Sequence, residues 1–267
     1  MPHTTSKIYF EVIDEVSSVN PNPETIIFNH GIGADSGIWQ GWFSSLVDRY
    51  RIITFDLRGY GRSQITPKEF EWSLDQLARD VIDVADAAEI KKMHLVGESI
   101  GGTIALNCGI RFPERFSSIT ISNGGHVGAS INRVEAWDSI IKLKGIKAWS
   151  DDFMVQRFYD NALTDSQWAW YSSIQEKWTQ DSIMNLLRVL VGTDLRPELT
   201  KIMCPTLILH PDNSPFIPVE VAVDLYRMLS NAQLQVFARA RHGLPFSHAR
   251  SCSDVLRQFL TGLSKEY

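Results

Sequence analysis

The sequence predicts an α/β fold, in which helices flank a mostly parallel central sheet. Short apolar segments that suit buried strands alternate with segments of helical period, the pattern of successive βαβ units. The composition is that of a globular chain, with 44% hydrophobic and 21% charged residues among 267. A chain of this length buries about three quarters of its unfolded surface, so its core needs no disulfide or metal.

Continuous apolar runs predict six strands, which lie at 25–28, 51–55, 93–96, 118–122, 205–209 and 233–237. A helix is predicted at 73–88, where Leu74, Leu77, Val81 and Val84 share one face. A second helix at 100–111 is stopped near Pro113, and an amphipathic helix at 251–263 completes the pattern.

The pattern changes between residues 126 and 201, where strand-like runs give way to aromatic-rich helical segments. These segments lie at 137–143, 149–159, 166–178 and 183–191. We therefore predict a split α/β core, formed by 1–125 and 202–267, with a helical cap inserted at 126–201.

Charge and terminal composition exclude several classes of protein. The net charge is −5 and there is no run of Lys or Arg, which argues against a nucleic-acid partner. No apolar stretch approaches the roughly 18 residues of a membrane span, and the first residues lack a signal-peptide core. Three widely spaced cysteines indicate reduced thiols, so we expect a cytoplasmic protein.

The most informative motif is Gly97-Glu98-Ser99-Ile100-Gly101, which directly follows a predicted strand and directly precedes a predicted helix. A sharp strand–turn–helix of this kind exposes the serine hydroxyl at the edge of a sheet. The helix N-terminus also offers the Ile100 amide to a developing oxyanion. We interpret Ser99 as a nucleophile. A phosphate-binding loop is disfavoured because neither Gly-Lys-Ser/Thr nor Gly-x-Gly-x-x-Gly occurs in the required context.

A second glycine turn, Asn29-His30-Gly31-Ile32-Gly33, follows the first predicted strand. Its small residues allow a backbone amide, that of Ile32, to approach the serine and complete an oxyanion hole. His30 is interpreted as a side chain that orients this turn. A serine needs a base to take its proton, and His242, just after the strand at 233–237, is the best placed of the seven histidines.

Together these residues resemble the α/β-hydrolase superfamily. The resemblance spans nearly the whole chain, from His30-Gly31 and the segment 56–63 through Gly97–Gly102 to Pro205-Thr206-Leu207 and His242. Within the insertion, Trp137, 145–149, Arg157-Phe158 and 194–196 resemble the cap of 3-oxoadipate enol-lactonases. The resemblance implies a hydrolase without metal or cofactor, in which Ser99 attacks a carbonyl, His242 transfers protons, and the Ile32 and Ile100 amides hold the oxyanion.

The third member of the expected triad departs from this family pattern. Counting back from Pro218 places Ser214 where the family usually carries its acid, and an alternative position used by some relatives falls near Asn123. Asp212 is the nearby carboxylate, two residues early. Three interpretations stay open: Asp212 orients His242, a carboxylate such as Glu220 or one from the cap does so, or a neutral group holds His242. The last predicts a slow hydrolase or another reaction.

Five of the eight tryptophans lie in the insertion, which indicates an apolar enclosure for an organic small molecule above Ser99. The candidate substrate-binding residues are Trp39, His126, Trp137, Trp149, Arg157 and Trp178, and Arg157 and Arg188 are candidates to bind a substrate carboxylate. The favoured function is hydrolysis of a small carboxylic ester or lactone. A C–C bond hydrolase of a β-diketone-like substrate, and a cofactor-free non-hydrolytic enzyme or ligand-binding receptor, stay open. A homodimer is one candidate assembly.

Overall fold

A central sheet of seven strands organises the part of the chain that the computed structural model describes, which is residues 3–63, 66 and 69–263. The strands are β1 (Phe10–Ile13), β2 (Thr25–Asn29), β3 (Arg51–Phe55), β4 (Met93–Glu98), β5 (Phe116–Ser122), β6 (Thr206–Pro211) and β7 (Ala232–Phe237). Their order is β1-β3-β2-β4-β5-β6-β7, and only the pairing of β1 with β3 is antiparallel. The predicted fold class is confirmed.

The helices are α1 (Gln40–Phe43), α2 (Leu74–Ala87), α3 (Ile100–Arg111), α4 (Val134–Arg157), α5 (Asp165–Gln175), α6 (Gln180–Val191), α7 (Val219–Met228), α8 (Leu244–Ser247) and α9 (Ala249–Leu263). Ser73 caps α2 by accepting a hydrogen bond from the Gln76 amide, and Thr164 caps α5 in a capping box with Gln167. None of these helices is both long and apolar enough to cross a membrane.

Every predicted strand forms within two residues of its expected ends, but the sequence analysis did not identify β1. That strand lies at the sheet edge with one buried residue, Phe10, while the other three are half-buried or exposed, so it lacks the buried apolar run of the inner strands. The segments predicted as helices at 137–143 and 149–159 belong to one element, α4, which is interrupted at Gly145 (φ 83°).

Helices α4, α5 and α6 lie between β5 and β6 in the chain, so the sheet pattern is interrupted where expected. The exact ranges 1–125, 126–201 and 202–267 stay a prediction, and their outer ends at 1–2 and 264–267 lie outside the described residues. We call the segment 126–201 the insertion from here on.

The parallel strands determine where the candidate site lies in the fold. The turns that follow β2, β4, β6 and β7 all leave the same edge of the sheet, because the carboxyl ends of parallel strands coincide. His30, Ser99, Ser214 and His242 lie in or directly after these turns.

Candidate active site

Ser99 occupies a strained turn between β4 and α3. Its backbone angles are φ 56° and ψ −121°, a conformation that a residue with a side chain rarely adopts. Gly97 and Gly101 make the turn sterically feasible: a Cβ at Gly97 would lie 2.2 Å from the Gly101 carbonyl oxygen. The predicted nucleophile turn therefore forms with the geometry that its glycines require.

His242 lies beside this serine. Its Nε2 is 3.2 Å from Oγ of Ser99, within reach for proton transfer. Asn123, which directly follows β5, holds the loop that carries His242, since its Nδ2 donates to the His242 carbonyl at 2.6 Å. Ser99 is 7% exposed and His242 2%, so both groups are enclosed in this conformation.

The other ring nitrogen of His242 faces a hydroxyl. Nδ1 lies 3.1 Å from Oγ of Ser214, which is the position that family spacing reserves for an acid. The same Oγ accepts hydrogen bonds from the amides of Phe216 (3.4 Å) and Ile217 (3.2 Å). The third position of the triad geometry is therefore filled, but by a neutral side chain.

Asp212 lies elsewhere, which corrects the expectation that it orients His242. Its two carboxylate oxygens accept from the backbone amides of Arg239 (2.8 Å) and Ala240 (3.0 Å). These bonds close the turn after β7, where Arg239 has a positive φ of 57°. Asp212 thus holds the backbone that leads to His242 rather than its imidazole. Glu220, the other named alternative, is exposed in the first turn of α7.

The electrostatic surroundings keep His242 neutral. Burial, together with the positive charge of Arg157 and the neighbouring His210, holds the pKa of His242 well below 6.5. Among the residues that the structure describes, no carboxylate forms an ion pair with this ring to oppose that effect. A neutral imidazole is the form that can accept a proton from Ser99.

A hydroxyl partner leaves the tautomer of His242 unspecified. An ionised carboxylate only accepts hydrogen bonds, so it would force the proton onto Nδ1 and leave Nε2 free to act as a base. Ser214 can accept from Nδ1, but it can also donate to it, and its lone pairs already receive two amides. When Ser214 donates, Nε2 carries the proton and cannot take the one on Ser99.

The glycine turn at 29–33, called the oxyanion turn from here on, lies against Ser99. A Cβ at Gly31 would lie 2.7 Å from Cβ of Ser99, so the turn approaches the nucleophile as closely as a glycine allows. Nε2 of His30 accepts the Leu57 amide at 2.9 Å, which places the ring proton on Nδ1, 2.9 Å from the Gly31 carbonyl. His30 therefore donates to the carbonyl of the peptide unit whose N–H belongs to Ile32. This contact orients and polarises the predicted oxyanion donor. Ile100, the other predicted donor, is the first residue of α3 and follows Ser99 directly.

An aromatic cluster formed by the insertion and the loop after β6 reaches the histidine. The Trp137 ring packs edge-on against Phe153 (4.7 Å between centroids) and Phe216 (5.2 Å), and Trp149 stacks on Phe153. Phe216 in turn meets the His242 ring at 4.9 Å. The indole N–H groups of Trp137 and Trp149 are buried without a protein acceptor, so a bound molecule with a carbonyl or carboxyl oxygen could accept from them.

The remaining predicted substrate-binding residues bond and pack with protein groups other than Ser99 and His242. Trp178 stacks on Tyr60 at 3.9 Å and donates to the Ala34 carbonyl, so it docks the insertion onto the core. Trp39 packs in the core, with its ring 5.0 Å from that of Phe28. His126 pairs with Asp224 of α7 at 3.1 Å.

Arg157, predicted as a candidate for a substrate carboxylate, bonds protein groups through both terminal nitrogens, while its Nε is buried without a hydrogen-bond partner among the described residues. It is 1% exposed and pairs with Glu98 at 3.2 Å. It also donates to Tyr171 and to the Ile32 carbonyl, both at 2.6 Å. Burial raises the pKa of Glu98 above its usual value, and the Arg157 charge opposes that rise.

The aromatic rings that join the insertion to His242 are buried, as are Ser99 and His242 themselves. A cleft of about 1230 Å³ opens elsewhere, between the core and the insertion. It is lined by residues that include Asp35, Asp56, Tyr60, Trp72, Trp170 and Asp181, but by neither Ser99 nor His242. The mixed polar and aromatic lining differs from the apolar enclosure that the tryptophan content suggested.

Sequence reasoning missed three contributors to the site. Phe216 was recognisable only as a residue of the loop after β6, and Tyr171 as one of many aromatics in the insertion. Glu98 had the clearest signal, because it stands inside the nucleophile motif itself and a carboxylate there, fully buried, requires a cation.

Comparisons with known proteins identify the family of the chain. The α/β hydrolase fold family matches residues 24–165. The 3-oxoadipate enol-lactonase 1 of Acinetobacter baylyi is 30% identical over 73% of each chain. The 2-hydroxy-6-oxo-6-phenylhexa-2,4-dienoate hydrolase of Burkholderia cepacia is 28% identical over 89% of this chain and 87% of its own.

A solved structure extends the match to the fold of nearly the whole chain. The crystal structure of the enol-lactonase from Burkholderia xenovorans superposes with a TM-score of 0.86 at 19% identity, covering 95% of this chain and 96% of the other. The strand order, the strained serine turn and the family match lead to one conclusion: this chain belongs to the α/β-hydrolase superfamily and is a hydrolase that resembles the enol-lactonase group.

Proposed function

We propose that the chain hydrolyses a small carboxylic ester or lactone through a covalent acyl-enzyme on Ser99. The observation that carries the proposal is the Ser99 hydroxyl, held on a strained turn 3.2 Å from Nε2 of His242. The similarity to 3-oxoadipate enol-lactonases favours an ester or lactone as the substrate class.

The proposed reaction begins when Oγ of Ser99 bonds to the substrate carbonyl carbon and its proton passes to Nε2 of His242. The carbonyl oxygen becomes an oxyanion, which the Ile32 and Ile100 amides bind. The carbon–oxygen bond to the leaving group then breaks, and that oxygen takes the proton from Nε2. Water, deprotonated by the same nitrogen, releases the acid and restores Ser99.

In this proposal Ser214 replaces the acid, which limits the rate. In serine proteases, loss of the correct imidazole tautomer costs on the order of 10⁴ in turnover. The neutral Ser214 neither enforces that tautomer nor stabilises the imidazolium, so we expect slow turnover compared with a complete triad.

The insertion acts in this proposal as a cap over the serine. Ser99 and His242 are enclosed, and Phe216 of the loop after β6 links the aromatic rings of the insertion to the histidine ring, so a substrate needs these rings to move before it can reach Oγ. The unpartnered indole N–H groups of Trp137 and Trp149 then become available to substrate oxygens.

A C–C bond hydrolase is the second candidate, because the relatives include the 2-hydroxy-6-oxo-6-phenylhexa-2,4-dienoate hydrolases, matched over 88% to 89% of this chain. The two candidates share the serine and histidine, and differ in whether a carbon–oxygen or a carbon–carbon bond is cleaved. Parallel assays with a short p-nitrophenyl ester, an enol-lactone and a vinylogous 1,5-diketone separate them.

Covalent labelling tests the proposal directly. A fluorophosphonate should modify Ser99 in the wild type and leave Ser99→Ala unmodified, and a p-nitrophenyl ester should release a burst of p-nitrophenol equal to the enzyme concentration. Labelling without any turnover would restrict the site to a binding role. An unlabelled wild type would refute the nucleophile assignment.

A further inference from the structure

Arg157, at the end of α4 in the insertion, contacts every segment that carries a reacting group. Its guanidinium donates to the Ile32 carbonyl in the oxyanion turn (2.6 Å) and pairs with Glu98, the residue before Ser99 (3.2 Å). Its own carbonyl accepts the amide of Gly243, the residue after His242, at 2.9 Å. One residue of the insertion therefore ties together the oxyanion turn, the nucleophile turn and the histidine loop.

The ion pair between Arg157 and Glu98 carries a large desolvation cost, so its presence needs an explanation other than stability. Arg157 and Glu98 are both almost completely buried, and a buried pair of well-packed apolar residues is often at least as stable as a buried ion pair. What the ion pair adds is directional specificity, because the planar guanidinium presents donors in a fixed fork. The Phe153 ring lies under its plane at 4.5 Å and holds that orientation.

The Arg157 guanidinium and the His30 ring bond the oxyanion turn on either side of the Ile32 Cα. His30 fixes the carbonyl before the Ile32 amide, and Arg157 fixes the carbonyl after it. Both peptide planes that flank the Ile32 Cα are thus held by buried donors. These two contacts restrict the direction of the Ile32 N–H, the predicted oxyanion donor.

We propose that Arg157 is a positioning residue, which sets the oxyanion turn for catalysis when the insertion is docked, rather than a ligand for a substrate carboxylate. Its charge is already balanced by Glu98, and a carboxylate substrate would have to compete with that pair. This inference rests on the proposed function, since it assigns a task to the oxyanion hole of a serine hydrolase.

The test compares four variants: Arg157→Lys, Arg157→Met, the double variant Glu98→Gln with Arg157→Met, and the control Arg133→Met. Arg133 is a matched arginine of the insertion that is exposed and has no assigned role in the site. Each protein is assayed with p-nitrophenyl butyrate, which is neutral, and with mono-p-nitrophenyl succinate, which carries a carboxylate. Thermal unfolding and the rate of Ser99 phosphonylation by a fluorophosphonate are measured in parallel.

Loss of the contact should lower kcat about 100-fold in Arg157→Met, with the same factor for both esters and little change in KM, because a small misplacement of a transition-state donor acts on kcat. The phosphonylation rate should fall in parallel. The double variant should regain Tm, since no unpaired buried charge is left, but should not regain kcat. Arg157→Lys should recover part of the rate, and Arg133→Met should match the wild type.

A rise in KM confined to the succinate ester would overturn the proposal in favour of carboxylate binding. Recovery of both Tm and kcat in the double variant would reduce Arg157 to a structural role. If wild type and Arg157→Met are phosphonylated at equal rates, positioning fails while the serine nucleophile stands. A wild type that is not labelled at all overturns the proposed function itself, and the positioning with it.

Discussion

Replacing Ser214 by aspartate should turn a slow triad into a fast one. Oγ of Ser214 already lies 3.1 Å from Nδ1 of His242, so a carboxylate at this position meets the imidazole directly. The amides of Phe216 and Ile217, at 3.4 and 3.2 Å, point at the same spot and would bind the second carboxylate oxygen. The loop therefore retains the donors that an acid needs, although the acid is absent.

The size of the gain follows from Coulomb's law. A carboxylate about 3 Å from the imidazolium stabilises it by about 5 kcal/mol at an effective dielectric constant of about 20. Desolvation of the new carboxylate, which the two amides partly offset, removes some of this, leaving roughly 3 to 5 kcal/mol. Since each 1.4 kcal/mol is about tenfold in rate, we expect kcat to rise about 10² to 10⁴-fold.

The assay measures kcat and kcat/KM for Ser214→Asp across pH, with Ser214→Asn as a neutral variant of equal size. The aspartate should raise the pKa of His242, so the acid limb of kcat/KM should move to higher pH together with the gain in kcat. Ser214→Asn should raise neither kcat nor the pKa of His242, because its amide carries no charge and can donate to Nδ1. A folded Ser214→Asp protein whose acid limb moves up while kcat stays constant would refute the idea that the neutral third member limits the rate.

Four further predictions concern His242, Asp212, His30 and His210. His242 acts as a base only when it is neutral, and its pKa lies well below 6.5. The kcat/KM of the wild type should therefore stay constant as the pH falls through 6.5 and decrease only at lower pH. A midpoint of this decrease at or above pH 6.5 would contradict the prediction. Asp212→Asn should lower the free energy of unfolding by roughly 1 kcal/mol, through weakened bonds to the turn after β7, and leave kcat within about threefold; a large loss of kcat at unchanged KM would reinstate Asp212 as the orienting acid. His30→Ala should lower kcat about 10- to 100-fold without raising KM, because the Gly31 carbonyl and the Leu57 amide lose their partner; unchanged phosphonylation of Ser99 would argue against it. Burial lowers the pKa of His210 to about 4, so as the pH falls the unfolded chain binds this proton before the folded chain does. The free energy of unfolding should therefore decrease between about pH 6.5 and about pH 4. Urea unfolding should show a smaller decrease in His210→Asn than in the wild type.

Local sequence determined the elements and the reacting pair. The buried strands are continuous apolar runs, which are recognisable one segment at a time, and the glycines of the nucleophile turn specify a close approach that no other residue allows. His242 was identifiable because parallel strands deliver their following loops to one edge of the sheet. These features depend on spacing within a single strand–turn unit.

Tertiary structure alone decided what faces His242. Asp212 and Ser214 are two residues apart on one loop, and the sequence favoured the carboxylate for its charge. In the folded loop Asp212 is drawn to the amides that close the turn after β7, which leaves Ser214 to meet Nδ1. Likewise Arg157 looked available to a substrate until the fold brought it to Glu98, 59 residues away in the chain. The chemistry of a side chain follows from its residue type. Its partner depends on which unpaired groups the fold brings beside it from elsewhere in the chain.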